Sequence, residues 1–130
     1  MRILVDTHCW LWMTTAPERF SLRTLKHIES PDTELYLSAA SAWEIAIKYA
    51  LGKLRLPAPP HEYVASRLGQ TRTTSLSITM DHAISVAELP AVHRDPFDRL
   101  LIAQARLERL PILTADPQFK KYDIDIIDAC

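Results

Sequence analysis

Short apolar runs alternate with helix-length segments along the whole chain, and this alternation restricts the fold more than any other feature. Ile3-Leu4-Val5, Leu35-Tyr36-Leu37, Thr73 to Ile78 and Ile112-Leu113-Thr114 are each too short for helices and read as strands, and Ile124, Ile126 and Ile127 suggest a last edge strand. Between them the pattern predicts helices from Cys9 to Thr15, Ser21 to Glu29, Ser41 to Leu51, His61 to Leu68, Thr79 to Leu89 and Asp98 to Leu110. The punctuation agrees. Ser30-Pro31-Asp32, Gly52, the prolines at 57, 59 and 60, Pro90 and Pro111 all fall between these segments. Strand–helix alternation of this kind predicts an α/β fold, a parallel sheet with helices on both faces.

The chain has 130 residues, 48% of them hydrophobic, and two glycines, which suits one domain spanning 1–130. Folding a chain of this size removes roughly two-thirds of its surface from water, so neither disulfides nor a structural metal is needed for stability. Cys9 lies in an apolar run beside Trp10 and reads as a buried thiol, while Cys130 sits at the other end. A strand begins directly after Met1-Arg2, with no signal-like region ahead of it, and no apolar stretch reaches the roughly 20 residues of a membrane span. The expected location is the cytoplasm.

Four acidic residues stand where a strand gives way to a helix or where a helix begins: Asp6, Glu44, Asp98 and Asp116. Each has a local explanation. Asp6 can cap the helix that follows it, and Asp116 can cap the turn of Pro117 to Lys121. Glu44 stands three residues after Ser41, the spacing of a capping box, and Asp98 falls in a first turn for which Asp95 is the better cap. Capping accounts for each position separately, but not for why acids at two strand ends and two helix starts should face the same side. Carboxylates at the carboxyl ends of parallel strands converge in one crevice. Such a cluster holds hard divalent cations, which stabilise the charge that builds on phosphoryl and leaving oxygens during phosphodiester hydrolysis.

These residues also carry a family resemblance over nearly the whole chain. The blocks Leu4 to Trp12 (LVDTHCWLW), Ser38 to Leu54 (SAASAWEIAIKYALGKL), His93 to Ala105 (HRDPFDRLLIAQA) and Leu113 to Tyr122 (LTADPQFKKY) resemble PIN-domain ribonucleases, and more narrowly the VapC toxins of type II toxin–antitoxin systems. An aspartate after an apolar strand also opens the haloacid dehalogenase phosphatases, but Asp6-Thr7-His8 lacks their second aspartate two residues on. The resemblance implies a PIN fold and a metal-dependent endoribonuclease using Mg²⁺, with Mn²⁺ as a substitute. In that family, metal-activated water attacks phosphorus in line and leaves a 5′-phosphate and a 3′-hydroxyl. It further implies a homodimer inhibited by a VapB-like antitoxin. Asp6, Glu44, Asp98 and Asp116 match the four acids: Asp6 and Asp98 as direct metal ligands, Glu44 as a ligand or water-orienting group, and Asp116 in the first or second ligand layer. A DNA- or structure-specific nuclease with the same acids, and a non-catalytic interaction module on the same fold, are the alternatives.

The net charge of −1 is unusual for a nucleic-acid enzyme, but the four acids account for it. If metal neutralises them, the rest of the chain carries fifteen positive and twelve negative groups, a balance of +3. Arg94, Arg99, Lys48 and Lys53 are the candidate phosphate contacts near the motif acids, and Thr7 and Thr114 candidate partners of a carboxylate or a phosphate oxygen. Trp10, Trp12 and Trp43 lie in apolar helical runs and are expected in the core or at a subunit interface. His8, His82 and His93 lack zinc-site spacing.

Overall fold

The computed structural model describes all of residues 1–130. Five strands, β1 (Arg2–Val5), β2 (Glu34–Ser38), β3 (Thr73–Leu76), β4 (Ile112–Thr114) and β5 (Ile126–Asp128), form one sheet in the order β3-β2-β1-β4-β5. Every pairing is parallel. β1 is central and reads Ile-Leu-Val because a parallel strand with both faces covered has no polar side to present. Ile3 and Val5 enter one core with Cys9, Trp10, Ile45 and Tyr63, whereas Leu4 enters the other with Leu101, Ile102, Ala105 and Ile112. That split is the period-two alternation of a strand, and it places helices on both sides of the sheet.

The helices are α1 (Thr7–Thr15), α2 (Leu22–Glu29), α3 (Ala39–Ala50), α4 (Pro60–Gln70), α5 (Met80–Ser85) and α6 (Pro96–Glu108). Short 3₁₀ turns cover Pro17–Arg19, Val86–Glu88 and Pro117–Lys121. The segment expected as one helix from Thr79 to Leu89 is therefore α5 continued by a tighter turn, and the strand expected to Ile78 stops at Leu76. β1 is followed in sequence by β2 on one side and is flanked by β4 on the other, so the chain reverses its direction of progress across the sheet between β1 and β4. Crevices for ligands form at such a reversal, outside the carboxyl ends of the strands. Asp6 and Asp116 lie just beyond those two ends.

Cys9 is buried and unpaired, and Cys130 is exposed and free. Trp10 is buried and Trp12 packs against the same core, but Trp43 is 58% exposed, so the core is not its place. The inward face of α3 is occupied by Ala40, Ser41, Glu44 and Ile45, and Trp43 falls off that stripe, stacking edge-to-face on Phe97 with ring centroids 5.3 Å apart.

Candidate active site

Asp6 caps α1 and is tied to β4 by the same carboxylate. Its backbone N–H donates to the Leu113 carbonyl at 3.0 Å, which fixes it beside β4, and its Oδ1 accepts from the Cys9 N–H at 2.7 Å as the N-cap of α1. Its Oδ2 accepts from the Thr114 hydroxyl at the end of β4. The side chain is nearly sealed from water, and this burial pushes its pKa above the ordinary carboxylate value even though the Thr114 and Cys9 bonds pull the other way. Thr114 Oγ1 also accepts from the Asp116 N–H at 3.0 Å, so one hydroxyl ties the acids of β1 and β4 together. Asp116 caps the following 3₁₀ turn through Gln118 N–H at 2.9 Å, again while facing the cluster.

Asp95 is the cap of α6: its Oδ1 accepts from the N–H groups of Phe97 at 2.9 Å and Asp98 at 3.3 Å. That leaves the carboxylate of Asp98 free of capping. Burial is the main reason its pKa is pushed up to about 7; the charges of Asp95 and Glu44 add to the rise and His93 opposes it.

Glu44 is not the partner of a capping box. Strand β2 runs into α3 without a loop, Ser38 caps that helix by accepting from Ala40 N–H at 3.0 Å, and Glu44 is therefore the sixth helical residue. Ser41 instead accepts a hydrogen bond from the Thr7 hydroxyl at 2.8 Å, which fastens α1 to α3. Glu44 is 2% exposed, its Oε2 lies 2.5 Å from Lys48 Nζ, and its Oε1 is buried without any hydrogen-bond partner. A buried carboxylate oxygen with nothing donating to it costs on the order of 1–3 kcal/mol or more, a cost retained where a ligand completes the site.

His93 was invisible to a search for zinc spacing, yet it lies inside the cluster. Its Nε2 is 2.8 Å from Asp98 Oδ2 and 3.7 Å from Asp116 Oδ2, and potential ligand atoms of these three residues all lie within 4.8 Å of one another. Nδ1 faces the Asp95 N–H at 3.5 Å, and Nε2 shares a hydrogen bond with Asp98 Oδ2. The available signal was its position in the loop five residues before Asp98, across the Asp95 cap.

The structure thus joins Asp6, Thr114, Asp116, His93 and Asp98 in one run of contacts, with Glu44 near enough for its charge to act on Asp98. Thr114 positions a carboxylate and Thr7 ties two helices. Arg94 is exposed, but Arg99 turns inward: its guanidinium donates to the carbonyls of Pro90 at 2.9 Å, Val86 at 3.2 Å and His93 at 3.4 Å. Its expected role as a phosphate contact gives way to bracing the loop that carries His93, where the Pro90 and His93 carbonyls have no strand or helix to satisfy them. The oxygen-rich donors and the orphaned Glu44 oxygen fit a hard divalent cation such as Mg²⁺ or Mn²⁺.

The family model of the PIN domain matches residues 3–125. Among curated proteins, Ribonuclease VapC16 of Mycobacterium tuberculosis is 48% identical over 56 residues, covering 43% of this chain but only 38% of that protein. Ribonuclease VapC22 of the same organism is 28% identical over 121 residues, covering 92% of this chain and 91% of its own length. Among solved structures, VapBC2 from Rickettsia felis bound to a promoter DNA fragment superimposes with a TM-score of 0.74 at 14% identity, covering 98% of each chain.

Proposed function

We propose, from the premise that this chain belongs to the PIN domain family, that it is a metal-dependent endoribonuclease acting as the toxin of a VapBC-like type II toxin–antitoxin pair. One observation carries the reading: acids from the carboxyl ends of β1 and β4, the middle of α3 and the first turn of α6 lie near one another, with Glu44 Oε1 buried and unpartnered and Asp98 held near pKa 7. Curated relatives named as VapC ribonucleases, and solved complexes named VapBC, support the activity and a VapB-like antitoxin as partner. No helix is long and apolar enough to cross a membrane, and the cytoplasm is the proposed location. A homodimer is the proposed assembly, with the exposed Trp43 as the side chain a second subunit would cover.

Asp6, Asp98 and Asp116 would hold the Mg²⁺ or Mn²⁺ ion, with Glu44 as the fourth acid. When bound, the ion supplies a Lewis acid that offsets charge on the phosphoryl and leaving oxygens. The chain's own residues do the positioning. Thr114 and the Cys9 N–H hold both oxygens of Asp6, so that ligand is oriented before substrate arrives. Glu44 Oε1 is the free acceptor that orients the attacking water or joins the ligands, and Arg99 and Asp95 keep the loop and helix that present His93 and Asp98 in register.

Incubating total cellular RNA with the purified chain in Mg²⁺, Mn²⁺ or EDTA, beside Asp98→Asn, tests this directly. Metal-dependent cuts that the variant fails to make, with 5′-phosphate and 3′-hydroxyl ends, are the expected result. A 2′,3′-cyclic phosphate product overturns the mechanism. Cleavage of matched DNA in place of RNA would transfer the same acids to a DNA- or structure-specific nuclease. An Asp6→Asn, Asp98→Asn protein equal to wild type in metal affinity and growth inhibition would leave a non-catalytic interaction module.

A further inference from the structure

Helix α3 ends in a way that breaks a local rule. The N–H of Lys53 donates to the Lys48 carbonyl at 2.8 Å and that of Gly52 to the Tyr49 carbonyl at 3.0 Å, with Gly52 at φ +72°, which is the Schellman arrangement. In this motif the residue after the glycine folds back over the one five positions earlier, and an apolar contact between the two normally secures the turn. Here both positions are lysine, so the turn brings two like charges to one edge. The helix dipole favours a cation in the last turn and accounts for Lys48, but it gives no reason for the second. Local rules are broken in this way at functional sites.

Both lysines border a groove of about 230 Å³ between α1 and the end of α3, which they share with His8, Thr7, Glu44 and Ile45. The groove opens beside the acidic cluster: Glu44, with its buried unpartnered oxygen, lies in its wall, and the charge of His8 acts on Asp6. Lys53 is exposed and has no carboxylate within ion-pair distance, whereas Lys48 is engaged with Glu44.

We propose that this groove is a phosphate subsite, in which Lys53, Lys48 and His8 hold a backbone phosphate of single-stranded RNA next to the bond cleaved at the acids. The inference rests on the nuclease reading and names its substrate contact. The strand would thereby be drawn along α1 toward Asp6, and the subsite would fix its register without reading bases.

The test is the salt dependence of binding to a labelled mixed-sequence single-stranded RNA, measured in Mg²⁺ in an Asp98→Asn background, with cleavage by the otherwise unaltered chain followed in parallel. Each lost phosphate contact lowers the slope of log K against log salt by about 0.7 on a single strand. Lys53→Gln should lower it by about that amount, and Lys48→Gln with Lys53→Gln by about twice as much, while Lys26→Gln on α2, outside the groove, leaves it unchanged. Lys53 has no ion pair to lose, so its substitution is the arm free of folding effects. If Lys53→Gln and the double variant keep the wild-type slope while the unaltered chain still cuts RNA, the subsite is wrong and the nuclease reading stands. A reduced slope in a chain that cuts no RNA upholds the subsite and removes the nuclease reading, and no salt-dependent binding by any version overturns both.

Discussion

Two buried polar clusters lie in this small domain, and they are built to opposite specifications. Around Gln104 every partner is present: its Oε1 accepts from Ser38 Oγ, its Nε2 donates to the Ser77 carbonyl at 3.2 Å, and His82 beside it accepts from Thr79 N–H and contacts Glu108 at 3.2 Å. At the acidic site Glu44 Oε1 has no partner, and burial, with the charges of Asp95 and Glu44, holds Asp98 near pKa 7. A satisfied buried network is a structural joint, here linking β2, α5 and α6. A buried network that leaves an acceptor unpartnered is suited to a ligand that completes it, the role proposed above for the acids.

The comparison is broken most strongly by exchanging charge for shape at the site. Asp98→Asn should reduce RNA cleavage by about 10²–10³-fold, read from initial rates, while leaving the fold intact. The counterpart, Gln104→Ala, should leave the acids untouched but strand Ser38 and the Ser77 carbonyl, costing about 3 kcal/mol in a urea denaturation series. Saturating Mg²⁺ at about 100 times its dissociation constant should stabilise the unaltered chain by about 2.7 kcal/mol, and Asp98→Asn much less, as followed by thermal unfolding. The pH profile sharpens the contrast. Asp98 binds its proton more tightly folded than unfolded, so in the metal-free chain its contribution to stability should be full below roughly pH 4 and be lost as pH rises through about 7. Asp98→Asn should remove that part of the slope. The smallest effect belongs to Asp95→Ala, about 1 kcal/mol from the lost cap of α6, with a loosened loop at His93.

The strands and most helix limits were legible because they rest on local signals: apolar period, prolines, and caps such as Asp95 before Pro96 and Ser21 before α2. Asp6 and Asp116 were legible for the same reason, since a strand end followed by a cap is a local pattern. The capping-box spacing of Glu44 corresponds to no cap, because the helix begins two residues before Ser41, directly from β2 and not from a loop. Arg99 looked like a free cation because the Pro90 and His93 carbonyls it braces belong to a loop whose path no local pattern describes.

The sequence by itself determined the parallel α/β architecture and the four acids, since hydrophobic period and strand-end position are properties of neighbouring residues. Only the tertiary structure decided that Glu44 is sealed with one oxygen unpartnered, that His93 stands between Asp98 and Asp116, and that Trp43 faces outward. Those outcomes depend on which elements distant in sequence pack together, and burial and charge are fixed by those neighbours in space.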